Sequence, residues 1–183
     1  MHRITTHTND CLECDFRITH VPARDWPTGS KRPIYPARLG YPRIVQDGIV
    51  NSNLGPDYSE SSTYPDRSIF NWNVSKPLIY IDQVSHTYAY TMGNYGIQNE
   101  KQVSIGESTC GAVFVANPIN QGGFAAMEMQ TLTQLVMERC DSARCGVKLM
   151  GELSTSYGFY GSGGIEDEAG EAIIISDPRE TWY

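Results

Sequence analysis

Between residues 87 and 114 the chain reads TYAYTMGNYGIQNEKQVSIGESTCGAVF. Asn99 and Glu100 follow the knot Gly93-Asn94-Tyr95-Gly96, and Glu107, Ser108, Thr109 and Cys110 then come in one unbroken run. Amides, carboxylates and hydroxyls in such a cluster suit a site where a substrate carbonyl meets hydrogen-bond donors that stabilise charge on its oxygen. By pattern alone the stretch is a β-meander whose polar residues face water. The segment SIGEST points further, because the strand turns polar at its end and Gly106 permits close approach. No attacking group paired with a base is evident within it.

Other reactive side chains are weaker candidates. Cys11 and Cys14 form C-L-E-C, and Cys140 and Cys145 form C-x4-C. A structural zinc needs about four soft ligands closing a tetrahedron, and C-x2-C is a usual half-site. The second cysteine pair straddles a helix break and no His-x3-His partner exists, so no metal is expected. A redox C-x-x-C opens a helix after a strand. Proline-rich irregular chain follows Cys14 instead, so two ordinary thiols are expected there. His7, Asp10 and Cys11 are neighbours in sequence, whereas catalytic groups converge from distant segments. His20 and His86 read as surface or half-buried imidazoles. The run Glu166-Asp167-Glu168 with Glu171 reads as solvated, without the alternating ligands of a calcium loop. The patterns G-x-x-x-x-G-K-[ST], G-x-G-x-x-G and G-x-S-x-G are all missing, so neither a phosphate cradle nor a serine elbow is written here and no cofactor is expected.

The elements that must position these groups can be read from periodicity and punctuation. Residues 1–45 are rich in Pro and Arg, with short extended pieces at Arg17–Val21 and Pro33–Tyr35. Residues 46–76 shift to Ser, Asn, Asp, Gly and Pro and read as one long loop. LIYID (78–82), TYAYTM (87–92), QVSIGE (102–107) and GAVFVA (111–116) read as strands joined by antiparallel turns. Met129, Leu132, Leu135, Val136 and Cys140 then recur at helical spacing. Asp141 or Ser142 can cap a second helix with Ala143, Val147, Met150 and Leu153 on one face, ended by Gly158. EAIIIS (171–176) reads as a buried strand, DPRE as a turn, and TWY as the start of another strand. Strands, two helices and strands again require a sheet covered by helices, an α+β fold.

Bulk properties bound the function. At 183 residues, 40 % hydrophobic and 19 % charged, the chain is of single-domain size and globular composition. A net charge of −7 argues against non-specific binding to nucleic acid. No apolar run reaches the roughly 18–20 residues that span a bilayer, so no membrane partner is expected. The first residues, MHRITTHTNDC, lack an apolar signal region. The cytoplasm is slightly favoured, although an upstream signal stays open, as does the oligomeric state. Asn73-Val74-Ser75 is a glycosylation sequon that matters only in a secretory compartment.

The stretch IDQVSHTYAYTMGNYGIQNEKQVSIGEST resembles the dipeptidase A and secernin proteins, whose corresponding segment carries N-E-x-x-V-x-I-G-E/N. Downstream, VMERCDSAR, YGFYGSGG and GEAIIISDPRETWY match the family's L-E-R-A-x-T-A-R and G-E-x-x-x-I-A-D-x-x-E-x-W in order. The likeness is good over residues 78–183 and looser over residues 4–45, where TTHTND and PIYPARLGYPR have counterparts. It implies one N-terminal-nucleophile hydrolase domain over residues 1–183, a four-layer αββα sandwich, incomplete at both ends. The implied activity is hydrolysis of the amide bond of dipeptides and small peptides by a cysteine whose own α-amino group acts as base.

The resemblance also implies roles. Asp10 matches a carboxylate that orients the nucleophile's amine. The arginine often found three residues earlier is His7 in this chain. Asn99 matches the N-E pair, with a turn-capping amide as the alternative. Glu107, Ser108, Thr109 and Glu171 fall where related enzymes contact substrate or oxyanion. The nucleophile itself has no counterpart, since Cys11 and Cys14 follow the THTND segment instead of preceding it. The chain is therefore expected to be a fragment without dipeptidase activity. The alternative is a non-catalytic secernin-like protein acting in secretion or as a binding partner.

Overall fold

The computed structural model describes residues 14–15, 17–38, 40–45, 73–111, 116–161 and 170–183. Asp10, Cys11, most of the expected loop over 46–76, the centre of the expected strand at 111–116 and the acidic run 166–168 lie outside the described residues.

The strands are β1 (Thr19–Val21), β2 (Arg24–Asp25), β3 (Lys31–Ile34), β4 (Ile79–Asp82), β5 (His86–Thr87), β6 (Tyr90–Met92), β7 (Gly96–Asn99), β8 (Ser104–Cys110), β9 (Gly170–Ser176) and β10 (Thr181–Trp182). Two helices, α1 (Met129–Arg139) and α2 (Ala143–Tyr157), lie between β8 and β9. Among the described residues, six strands form one antiparallel sheet in the order β1-β6-β7-β8-β9-β10, while β2 pairs with β5 and β3 with β4. The fold is α+β, as the order of elements required. The TYAYTM segment is divided between β5 and β6, and the expected strand at 102–107 starts two residues later and extends to Cys110. The positive φ of 62° at Gln102 marks the tight turn that delays it.

Alternation gives the sheet two unlike faces. Val21, Tyr90, Met92, Val103, Ile105 and Ile175 pack with Val136, Met137 and Cys140 of α1. In register with these, His20, Thr91, Gln98, Ser104, Ser108 and Ile174 occupy the opposite face. That arrangement corrects the reading of EAIIIS as fully buried, because Ile174 is exposed.

A second apolar cluster lies on the other side of α1, where Leu132 and Leu135 meet Ile34 and Ile81 of β3 and β4 and Leu153 of α2. All residues from Met129 to Glu138 are consequently buried, polar ones included. The second helix follows its expected limits, with Ser142 accepting from Cys145 N and Gly158 ending it. Its buried stripe runs through Ala143, Gly146 and Leu153, while Val147 is exposed. The sequence reading placed Val147 on the inner face, but the glycine one residue earlier is what allows approach. A Cβ at Gly146 would stand 3.0 Å from Val136 Cγ1 and 3.1 Å from Ile175 Cδ1.

Burying α1 obliges its polar groups to find partners. The Arg32 guanidinium, from β3, donates through Nη2 to Glu138 Oε1 at 2.8 Å and through Nε to Oε2 at 3.1 Å. Both residues are buried. Removing one member of such a pair strands a charge in an apolar setting. At the other side of the helix, Gly96 N donates to Thr133 Oγ1 at 3.0 Å. A Cβ on Gly96 would come within 2.6 Å of Met137 Cγ and 2.7 Å of the Thr133 carbonyl oxygen.

Two outcomes follow for stability, both readable by urea denaturation. Arg32→Met should cost about 3–5 kcal/mol by leaving Glu138 unpaired, with Arg32→Met/Glu138→Leu recovering much of it. Gly96→Ala should cost about 1–3 kcal/mol through overpacking; an unchanged midpoint would contradict the close β7–α1 contact.

Candidate functional site

The pairing of β8 with β9 collects most of the sequence-derived site at one end of the sheet. Thr109 lies opposite Glu171, Ser108 opposite Ala172 and Glu107 opposite Ile173. Glu107 shares the helix-covered face with Val103 and Ile105 and is buried, whereas Ser108 is exposed on the opposite face. Of Thr109 only the backbone is described. Cys110, at the end of the strand, is exposed with a free thiol.

Asn99 is not part of that group. It pairs with Val103 at the opposite end of β8, with Asn99 N donating to the Val103 carbonyl at 3.0 Å. Ser108 is five residue steps along the strand from Val103, roughly 17 Å. The Asn99 amide is engaged on both sides. Its Nδ2 donates to the carbonyls of Met137 at 3.0 Å and Cys140 at 2.7 Å, and its Oδ1 accepts from Lys101 N at 3.0 Å and Val103 N at 3.1 Å. This one side chain caps the C-terminus of α1 and shapes the turn into β8, filling its hydrogen-bonding capacity.

Tied to Gly96 through Thr133 and to Asn99 through Met137 and Cys140, the helix runs back along β7, the neighbour of β8, so its N-terminus lies toward the Glu107 end. Its eleven residues cover roughly 16 Å, about the distance from Val103 to Ser108. Glu128 is the N-cap, with Oε2 accepting from Gln130 N at 2.8 Å. It is fully buried, and its Oε1 has no hydrogen-bond partner among the described residues. Burial pushes its carboxyl up to about 8 against the opposing pull of the helix N–H groups, and the charge of Glu107 adds to the rise. Tyr160 belongs to the same group. Its hydroxyl accepts from Ala37 N at 3.0 Å, and burial pushes it up to about 12, with the charge of Glu128 contributing.

Two buried carboxyls thus lie close enough at this end of the sheet for the charge of Glu107 to raise the pKa of Glu128, which holds its proton at neutral pH. Sequence reasoning named Glu107 and passed over Glu128. The available signal was an acidic residue directly before the apolar-periodic run, in the N-cap position. A second buried charge group was also passed over: Asp15 accepts from Arg17 Nη2 at 2.8 Å and lies 3.5 Å from Arg43 Nε.

The cysteines require a correction. Cys140 and Cys145 form a disulfide with a Cα–Cα separation of 5.4 Å, and Cys14 is disulfide-bonded as well, so Cys14 is not an ordinary thiol. The break between α1 and α2 turns the chain back within disulfide range. Among the described residues, no group of three or more His, Cys, Asp or Glu is placed to hold a metal ion. No helix among them is long and apolar enough to cross a membrane. A cavity of about 650 Å³ lined by Ile79, Ile119, Phe124, Ala125 and Tyr157 contains none of the predicted site residues.

The family motifs acquire a physical meaning at the start of α2. Asp177 accepts from Arg179 N at 2.6 Å and Glu180 N at 2.8 Å, closing the DPRE turn, while its other oxygen accepts from Ala143 N at 2.8 Å. Glu180 pairs with Arg144 at 3.0 Å, and the Arg144 guanidinium lies 4.6 Å from the Trp182 ring centroid. The residues of D-x-x-E-x-W therefore converge on the first turn of α2.

An α+β sheet with helices packed on one face, fastened by these motifs, is the class of protein at hand. The model of Peptidase family C69 matches residues 61–183, and the chain belongs to that family. Its general class is accordingly that of a cysteine-type peptidase, a hydrolase. No curated protein and no solved structure matches it.

Glu128 makes stability depend on pH in a defined direction. The unfolded carboxyl ionises near 4.5, while the folded one keeps its proton up to about 8. Its contribution is therefore full below pH 4.5 and is lost as pH rises through about 8. Urea midpoints measured across that window should fall for the parent chain and fall less for Glu128→Gln. Equal slopes would remove Glu128 as the titrating group.

Proposed function

We propose that this chain is part of an N-terminal-nucleophile dipeptidase domain of the dipeptidase A and secernin kind. It hydrolyses the amide bond of dipeptides and small peptides once the attacking cysteine is supplied from outside residues 1–183. Membership in peptidase family C69 carries the class. The observation that favours the αββα sandwich is the asymmetry of the main sheet. Helices cover one face, while His20, Gln98, Ser108 and Ile174 are exposed on the other, where a second sheet would pack.

The state of the described cysteines supports an external nucleophile. Cys14, Cys140 and Cys145 are bound in disulfides, and Cys110 lies within a strand, where it cannot present an α-amino base of its own. In this reading the incoming cysteine gives its thiol proton to its own amine and attacks the substrate carbonyl. Asp10 orients that amine. Ser108, on the open face, and its neighbour Thr109 contact the substrate or its oxyanion, with Glu171 opposite Thr109 in the strand pair. Water then releases the acyl group. Asn99 acts here as a positioning residue, because its amide is committed to the end of α1 and the turn before β8. Glu107, buried on the helix-covered face, acts from behind the end of β8.

Residues 1–183 alone should turn over no dipeptide in a panel of small peptides. A chain extended with its upstream coding sequence should contain a cysteine, gain activity, and lose it when that cysteine becomes Ala. Turnover by residues 1–183 themselves would sink this reading. An extended chain inert to dipeptides and to cysteine-directed probes would mark a non-catalytic member instead.

A further inference from the structure

Cys140 closes α1, Cys145 lies in the first turn of α2, and a disulfide joins them; Cys14 is in a disulfide too. Of the described cysteines only Cys110 carries a free thiol. Making each bond removes two protons and two electrons from a pair of thiols. A disulfide-forming oxidoreductase accepts them by thiol–disulfide exchange and is itself reduced to a dithiol. In a glutathione-poised cytosol such bonds are kept reduced, so a chain with this pattern belongs to an oxidising compartment.

A second and independent feature points to the same place. Asn73-Val74-Ser75 satisfies the acceptor rule for N-linked glycans, with a residue other than proline in the middle. Asn73 and Val74 are exposed, so a bulky sugar at Asn73 projects into solvent. Ser75 is tied into the fold: its N–H donates to the Val45 carbonyl at 2.9 Å, and its Oγ accepts from Val45 N at 3.0 Å. The hydroxyl that the glycosylating enzyme must engage is therefore available before this pair closes, and Asn73 is exposed in the folded chain.

We propose that the chain matures in an oxidising secretory compartment and carries an N-linked glycan on Asn73. This reverses the slight preference for the cytoplasm drawn from sequence. It does not depend on the peptidase reading.

The test uses the protein from its own cells, with thiols blocked by N-ethylmaleimide at lysis and peptides analysed by mass spectrometry. After peptide-N-glycosidase treatment in heavy-oxygen water, the peptide bearing residue 73 should be recovered as labelled Asp. Cys140 and Cys145 should take up the blocking reagent only after reduction. An unmodified Asn73 peptide overturns the proposal, and so do Cys140 and Cys145 labelled without reduction. A tagged copy expressed in the same cells provides the control: Asn73→Gln should lose the glycosidase-sensitive mobility shift while keeping the disulfide. Ser75→Thr, which retains both the acceptor rule and the hydroxyl, should keep the shift. A glycosidase-sensitive shift that persists in Asn73→Gln would overturn the assignment to Asn73.

Discussion

Everything in this structure turns on the burial of α1 on all sides. A helix with one wet face can leave its polar side chains to water, but one packed between two sheets cannot. Gln130, Thr131, Thr133, Gln134 and Glu138 are buried along with the apolar residues. Each requires an answer from another part of the chain. Arg32 meets Glu138 from β3, the N–H of Gly96 meets Thr133 from β7, and Asn99 meets the last carbonyls of the helix. These contacts fix the helix in register with the sheet more sharply than apolar packing, which tolerates sliding.

The candidate site inherits its geometry from that register. Since α1 runs back along β7 beside β8, capping the helix at Asn99 brings its other end toward Glu107. The N-terminal N–H groups of a helix favour a carboxylate, while a second carboxylate beside it and complete burial both oppose ionisation. Here burial prevails at Glu128, and the carboxyl retains its proton at neutral pH. The strand end that carries Ser108 and the Thr109 backbone therefore has a protonated acid within electrostatic reach of its Glu107, an arrangement no single segment of the chain displays.

The family's motifs are better understood as joints than as reagents. The N-E pair supplies the cap of α1, the E-R-C-D-S-A-R run supplies Glu138, Ser142 and Arg144, and D-P-R-E-T-W supplies Asp177, Glu180 and Trp182. They meet at the corner where α1 ends and α2 begins, and the Cys140–Cys145 disulfide spans that same corner. Such residues carry a family resemblance well because they hold the scaffold that presents the site.

What the sequence determined by itself was local. The spacing of Met129, Leu132, Leu135 and Val136, the cap at Ser142, the stop at Gly158 and the DPRE turn depend on neighbours within a few residues, and they appear as expected. The polar end of β8 was legible for the same reason. Tertiary structure decided the rest. Arg32 and Glu138 are 106 residues apart, Asn99 and Cys140 are 41 apart, and Glu107 and Glu128 belong to different elements. No periodicity links such residues. Their meeting follows only when a helix is sealed between two sheets and each buried polar group must find its partner.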